Sequence, residues 1–108
     1  LSRKNSIESE QLTDTTYYIL LCLTEPAHGY ALMSKIQEIS SGTFDVGPAS
    51  MYTNLKKLLG ADLIEITEVD KKSYQLTSKG TRLLVDEYER RSKIVQQSKN
   101  IIEKIRRG

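Results

Sequence analysis

The chain has 108 residues, 16 of them basic and 14 acidic, for a formal net charge of +2. That length fits one domain and leaves little room for a second. No apolar run approaches the roughly 18 residues of a membrane span, and the single cysteine excludes an internal disulfide.

The lone thiol suits a reducing cytoplasm, which is the expected location. The chain begins at Leu1 rather than Met, so its true start is expected upstream. The small total charge hides an uneven distribution. Residues 1–60 carry 5 basic and 6 acidic side chains, whereas residues 61–108 carry 11 and 8. Lys71, Lys72, Lys79 and Arg82 run with no acid between Lys71 and Val85. Two later clusters, Arg90-Arg91-Lys93 and Lys104-Arg106-Arg107, read first as solvated helix faces.

Residues 1–11 are polar and read as a flexible N-terminal arm. Thr13 and Asp14 are good N-caps for a first helix through the apolar run Tyr17–Leu23. Thr24-Glu25-Pro26 stops it, and Pro26 with Gly29 marks a tight connection. A second helix follows from Tyr30 to Ser40. Its spacing of three and four puts Leu32 or Met33, Ile36 and Ile39 on one face.

Gly47-Pro48 opens a third helix, with proline in the first turn where its missing N–H costs nothing. Met51, Leu55 and Leu58 form its buried stripe. The opposite face carries Ala49, Thr53, Lys56 and Lys57, flanked by Ser50, Tyr52 and Asn54, and holds no acid.

Leu63–Val69 alternates from Ile64 onward and reads as a half-buried strand. Asp70-Lys71 is a turn candidate without glycine, and Lys72–Thr77 alternates again. The two segments read as an antiparallel hairpin with Tyr74 and Leu76 on one face. Thr77 or Ser78 caps a last helix running to about Arg107. Tyr88, Val95 and Ile102 recur every seven residues, as do Ile94 and Ile101, with Ile105 four further on. Such a helix is about 40 Å long, longer than one small domain covers. Its far apolar positions point to burial against another chain.

The expected fold is mainly α with a β-hairpin: a winged helix-turn-helix plus a long C-terminal dimerisation helix. Residues 12–77 form the DNA-binding domain and residues 78–108 the dimerisation helix. The third helix enters the major groove, and the hairpin lies along the neighbouring backbone or minor groove. Lys56, Lys57, Lys71 and Lys72 are expected to neutralise phosphates and release counterions. Ser50, Thr53 and Asn54 are suited to phosphates or base edges, asparagine being able to pair adenine. The Tyr52 hydroxyl reaches a phosphate while its ring packs on the domain, or the whole side chain is simply core. The expected dimer interface is Tyr88, Ile94, Val95, Ile101, Ile102 and Ile105. The competing reading is a winged-helix protein-interaction module without DNA binding, motivated by the near-neutral charge and by Glu65 and Glu68.

Nothing in the chain suggests catalysis or a cofactor. There is no Gly-rich phosphate loop, serine elbow or metal spacing. His28 has no second His or Cys beside it, so a capping, packing or phosphate role is expected rather than zinc. Cys22 lies in the most apolar run and reads as core. Glu65 and Glu68, three apart on a strand, face opposite ways and cannot work as an acid–base pair.

At these residues the sequence resembles the PadR family of bacterial transcriptional regulators. The resemblance runs from Tyr17 to about Tyr88. It is carried by Tyr18-Ile19-Leu20, His28-Gly29-Tyr30, Pro48-Ala49-Ser50-Met51-Tyr52, Leu55-Lys56-Lys57-Leu58 and Tyr74-Gln75-Leu76-Thr77-Ser78-Lys79-Gly80. It implies a homodimer built through the last and first helices, bound to an inverted-repeat operator. It also implies a repressor released by a small ligand or another signal. Small members with one C-terminal helix include some that take flat aromatic or cationic drugs in an apolar channel at the dimer interface. Here a small apolar or aromatic ligand is the corresponding expectation, although the tryptophan of the best-known type has no counterpart. Two departures stand out. Asp62 replaces the glycine usual after the third helix, so that helix end is expected to differ. The wing is short and carries lysines where arginines are common.

Overall fold

The computed structural model describes residues 12–108, so the expected arm at 1–11 lies outside the described residues. In chain order the elements are α1 (Asp14–Cys22), β1 (Ala27–His28), α2 (Gly29–Ile39), α3 (Pro48–Gly60), β2 (Ile64–Ile66), β3 (Ser73–Leu76) and α4 (Ser78–Arg107). This is a winged helix with a long C-terminal helix.

Local chemistry starts and stops the helices. The Thr13 hydroxyl caps α1 by accepting from the Thr16 N–H at 3.2 Å. Thr77 does the same for α4, accepting from the Gly80 N–H at 3.0 Å. Pro48 occupies the first turn of α3. Both α2 and α3 end on a left-handed residue that is not glycine: Ser41 at φ 53° and Asp62 at φ 65°. At α3 the Asp62 N–H donates to the Leu59 carbonyl and the Leu63 N–H to the Leu58 carbonyl, each at 3.0 Å. That pair of bonds closes the helix as a glycine at Asp62 would, so aspartate keeps the turn rather than altering it.

The core lies where α1, α2 and α3 meet β2. Ile19, Leu20, Leu32, Ile36, Met51, Leu55, Leu58, Leu63 and Ile64 are fully buried there, and Leu84 of α4 closes one side. Tyr18 stacks on Phe44 with ring centroids 4.7 Å apart, which pins the α2–α3 loop to α1.

Four expectations change. Ile39 is exposed, because α2 ends there and Ser40 turns inward to cap the Phe44 N–H with its hydroxyl. The first wing strand stops at Ile66, leaving Glu68 off the strand and Val69 99% exposed. The sheet has a third strand, β1, with order β1-β3-β2 and all pairs antiparallel. Two residues pair it, Ala27 with Tyr74 and His28 with Ser73, too few to leave an alternating signal in the sequence. Cys22 is half-buried at the core edge, where burial pushes its thiol pKa up and away from reactivity.

Candidate nucleic-acid interface

The inner stripe of α3, Met51, Leu55 and Leu58, is buried, which turns Ser50, Tyr52, Thr53, Lys56 and Lys57 to solvent. No acidic side chain interrupts that outer face. Asn54 is half-buried, and its amide nitrogen donates to the Ser50 carbonyl at 2.8 Å. Pairing with adenine therefore requires that amide to swing off its own helix. The Tyr52 ring packs on the start of α2. A Cβ added at Gly29 would stand 2.9 Å from Tyr52 Cε1 and 3.0 Å from its hydroxyl. Glycine at 29 is what lets α2 and α3 approach so closely.

The wing tip is organised by Asp70. One carboxylate oxygen accepts from the Lys72 N–H at 2.9 Å. The other accepts from the Ser73 hydroxyl at 3.0 Å and lies 2.7 Å from His28 Nε2. The Thr67 hydroxyl donates to the Asp70 carbonyl. These bonds replace the missing glycine with a side-chain-closed turn. They also hold the Asp70 carboxyl at about 2, chiefly through His28, then the Lys72 N–H and Ser73. His28 precedes α2 but makes no capping bond, so its role is to tie the wing to that helix. The sequence signal for this was Asp70 at the turn, two residues before Lys72, the Asx-turn spacing.

The wing lysines differ. Lys71 Nζ lies 3.3 Å from Glu68, an exposed pair of little energetic weight. The Lys72 ammonium makes no hydrogen bond or ion pair among the described residues. Both line a cleft of about 380 Å³ with His28, Gly29, Tyr30, Tyr52 and Tyr74. Wing, α2 and α3 thus meet in one basic, hydroxyl-rich cleft.

Other basic residues serve the fold. Lys79 Nζ donates to the Ala61 carbonyl at 3.2 Å. Arg90 and Arg91, expected on a solvated face, instead grip Glu87, which is 5% exposed. Arg91 also reaches Asp14 at 2.8 Å and the Leu12 carbonyl at 3.0 Å, and it covers the Tyr17 ring at 4.3 Å. The bond from Arg90 first, and then that from Arg91, hold the Glu87 carboxyl below the usual range against its burial. This knot fastens α4 to the start of α1.

An α3 outer face without acids and a wing stapled beside it form one basic surface. The family model for transcriptional regulators of the PadR-like family matches residues 19–86. The chain belongs to that family. Solved structures of RosR carry the same fold. RosR of H. salinarum grown from NaBr is 30% identical, with 90% of this chain and 92% of that chain covered and a TM-score of 0.65. The RosR-S1 complex is 31% identical over 87% of this chain and 88% of that one, with a TM-score of 0.63. The RosR-S4 complex is 29% identical over 94% and 92%, with a TM-score of 0.66. No curated protein matches the chain. As a PadR-like protein the chain is a DNA-binding transcriptional regulator, and the family is one of regulators rather than enzymes. No helix among the described residues is long and apolar enough to cross a membrane.

Proposed function

We propose that the chain is a homodimeric, sequence-specific repressor acting on an inverted-repeat operator in the cytoplasm, released by a small ligand or another signal. Residues 12–77 are the reading head and 78–108 the dimerisation helix. The observation that carries this reading is the acid-free, solvent-facing side of α3 beside the wing, with Tyr52 of α3 and Lys71 and Lys72 of the wing lining one cleft. Lys56, Lys57, Lys71 and Lys72 neutralise phosphates. Ser50, Thr53 and Asn54 meet base edges or phosphates, and Tyr52 presents its hydroxyl beside them.

Pairing through Tyr88, Ile94, Val95, Ile101, Ile102 and Ile105 sets two heads on one duplex face. A small apolar or aromatic ligand entering that seam is the releasing signal.

The test is binding to the DNA upstream of its own gene at several salt concentrations. The logarithm of affinity should fall with log salt at about −0.9 per contacted phosphate. Lys56→Ala with Lys57→Ala should flatten that slope by about two contacts and leave thermal unfolding unchanged. Unaltered specific binding and slope in this variant would move the DNA surface elsewhere. A protein-interaction module would instead show no retention on heparin or random DNA at low salt.

A further inference from the structure

We infer that the cleft between the wing and the start of α2 clamps one backbone phosphate of DNA, gripped by Lys72 and the Tyr30 and Tyr52 hydroxyls, with His28 and Asp70 as positioning residues. The inference rests on the DNA-binding reading and adds Tyr30, His28 and Asp70 to it.

Three elements supply the grip: Tyr30 from α2, Tyr52 from α3 and Lys72 from the wing, all lining the same cleft of about 380 Å³. No carboxylate lines it among the described residues. Tyr30 is 78% exposed, so its hydroxyl is open to a ligand. The cleft has ample room for a phosphate group. A phosphate needs one full positive charge and a few hydrogen-bond donors. Lys72 provides the charge: it lines the cleft, and its ammonium makes no hydrogen bond or ion pair among the described residues.

Geometry also shows why Lys72 stands there. The β1–β3 ladder pairs His28 with Ser73 and sets the wing beside the start of α2. His28 Nε2 lies 2.7 Å from Asp70, across 42 residues of chain. Asp70 in turn fixes the Lys72 backbone N–H at 2.9 Å. Together with that ladder, this side-chain bond sets the position of the cationic jaw relative to the two tyrosines. The same bond keeps the Asp70 carboxylate engaged with protein donors, away from the incoming anion.

The experiment measures affinity and salt slope on a random-sequence duplex. Lys72→Gln should reduce the slope by about 0.9. Tyr30→Phe should weaken binding about three- to tenfold at unchanged slope, as one neutral donor is lost. His28→Ala should lower the slope as Lys72→Gln does, although position 28 carries no phosphate contact. His28→Gln, which keeps a donor for Asp70, should restore it. Asp70→Asn gives an independent break of the same tie, and unchanged thermal unfolding in each variant confirms intact folding. A wild-type slope in Lys72→Gln or His28→Ala overturns the clamp and leaves DNA binding standing. No DNA retention by the wild-type chain overturns both. Inorganic phosphate tested against chloride at equal ionic strength separates the sources of the anion. Phosphate binding that Lys72→Gln abolishes while DNA affinity and its salt slope stay unchanged would make this a free-phosphate site and overturn the DNA assignment.

Discussion

A Cβ at Gly80 would stand 2.0 Å from the Leu63 carbonyl oxygen and 2.9 Å from its carbon. Both atoms are backbone and cannot swing away. This close approach lets Thr77 fasten the wing exit: its N–H donates to the Leu63 carbonyl at 3.1 Å and its hydroxyl to the Asp62 carbonyl at 2.7 Å. Gly80→Ala should therefore destabilise the chain by about 3 kcal/mol, the upper range for overpacking. Gly29 is also crowded, but by the edge of the half-exposed Tyr52 ring and by the Leu55 methyl, which can shift. Gly29→Ala should cost about 1 kcal/mol. Urea unfolding of both variants checks the order, and equal costs would contradict the crossing at Gly80.

At the scale of elements, the wing depends on Asp70. Its carboxyl is held at about 2 by bonds from His28, the Lys72 N–H and Ser73. A carboxyl depressed in the folded state stabilises it above the unfolded value near 4 and loses that contribution as pH falls through the folded value. The wing tip should stay closed at pH 5 and open between about pH 4 and 2. An NMR titration of the Asp70 carboxyl carbon should show a midpoint near 2, and a midpoint near 4 would mean that the turn is not closed by this side chain. The helices are held differently. Caps at Thr13 and Thr77 are local and were readable from residue type and spacing, whereas the paired carbonyl bonds after α3, equally local, form around an Asp62 that had pointed to a different helix end. The wing's real length was not. The β-branched residues from Ile64 to Val69 extend a strand on paper, while the Asp70 turn takes Glu68 and Val69 out of the ladder.

The whole molecule is elongated. Its radius of gyration is 15.9 Å, against about 13 Å for a compact chain of this size. The excess is α4, whose buried residues, Gly80, Leu84 and Glu87, all lie in its first third. At about 100° per residue, Leu84, Glu87 and Arg91 share one stripe with Ile94, Val95, Ile101, Ile102 and Ile105. The stripe packs on its own domain first and then runs on into solvent, where those five are 42% to 70% exposed. If a second copy covers that stripe, Ile101→Glu with Ile105→Glu should convert a dimer into a folded monomer at micromolar concentration. Each lost isoleucine removes about 1.5–3 kcal/mol of burial. Sedimentation gives the mass, and an unchanged dimer would place the interface elsewhere. Binding to a full inverted repeat should fall with it, while binding to random duplex persists.

By itself the sequence determined the order of helices, the buried face of α3, the acid-free face opposite, and the length of α4. These follow from periodicities of 3.6 residues and from caps within four residues of the element they start. Tertiary structure alone decided which charges are available to a partner. Arg91 looked free until Asp14, 77 residues away, was folded beside it. Lys79 looked like part of a basic run until Ala61 accepted its hydrogen bond. His28 read as a capping, packing or phosphate residue until β1 paired with β3 and brought Asp70 within 2.7 Å. Local pattern records how a residue sits on its own element. Only the packing of elements fixes which polar groups satisfy one another and which remain for DNA.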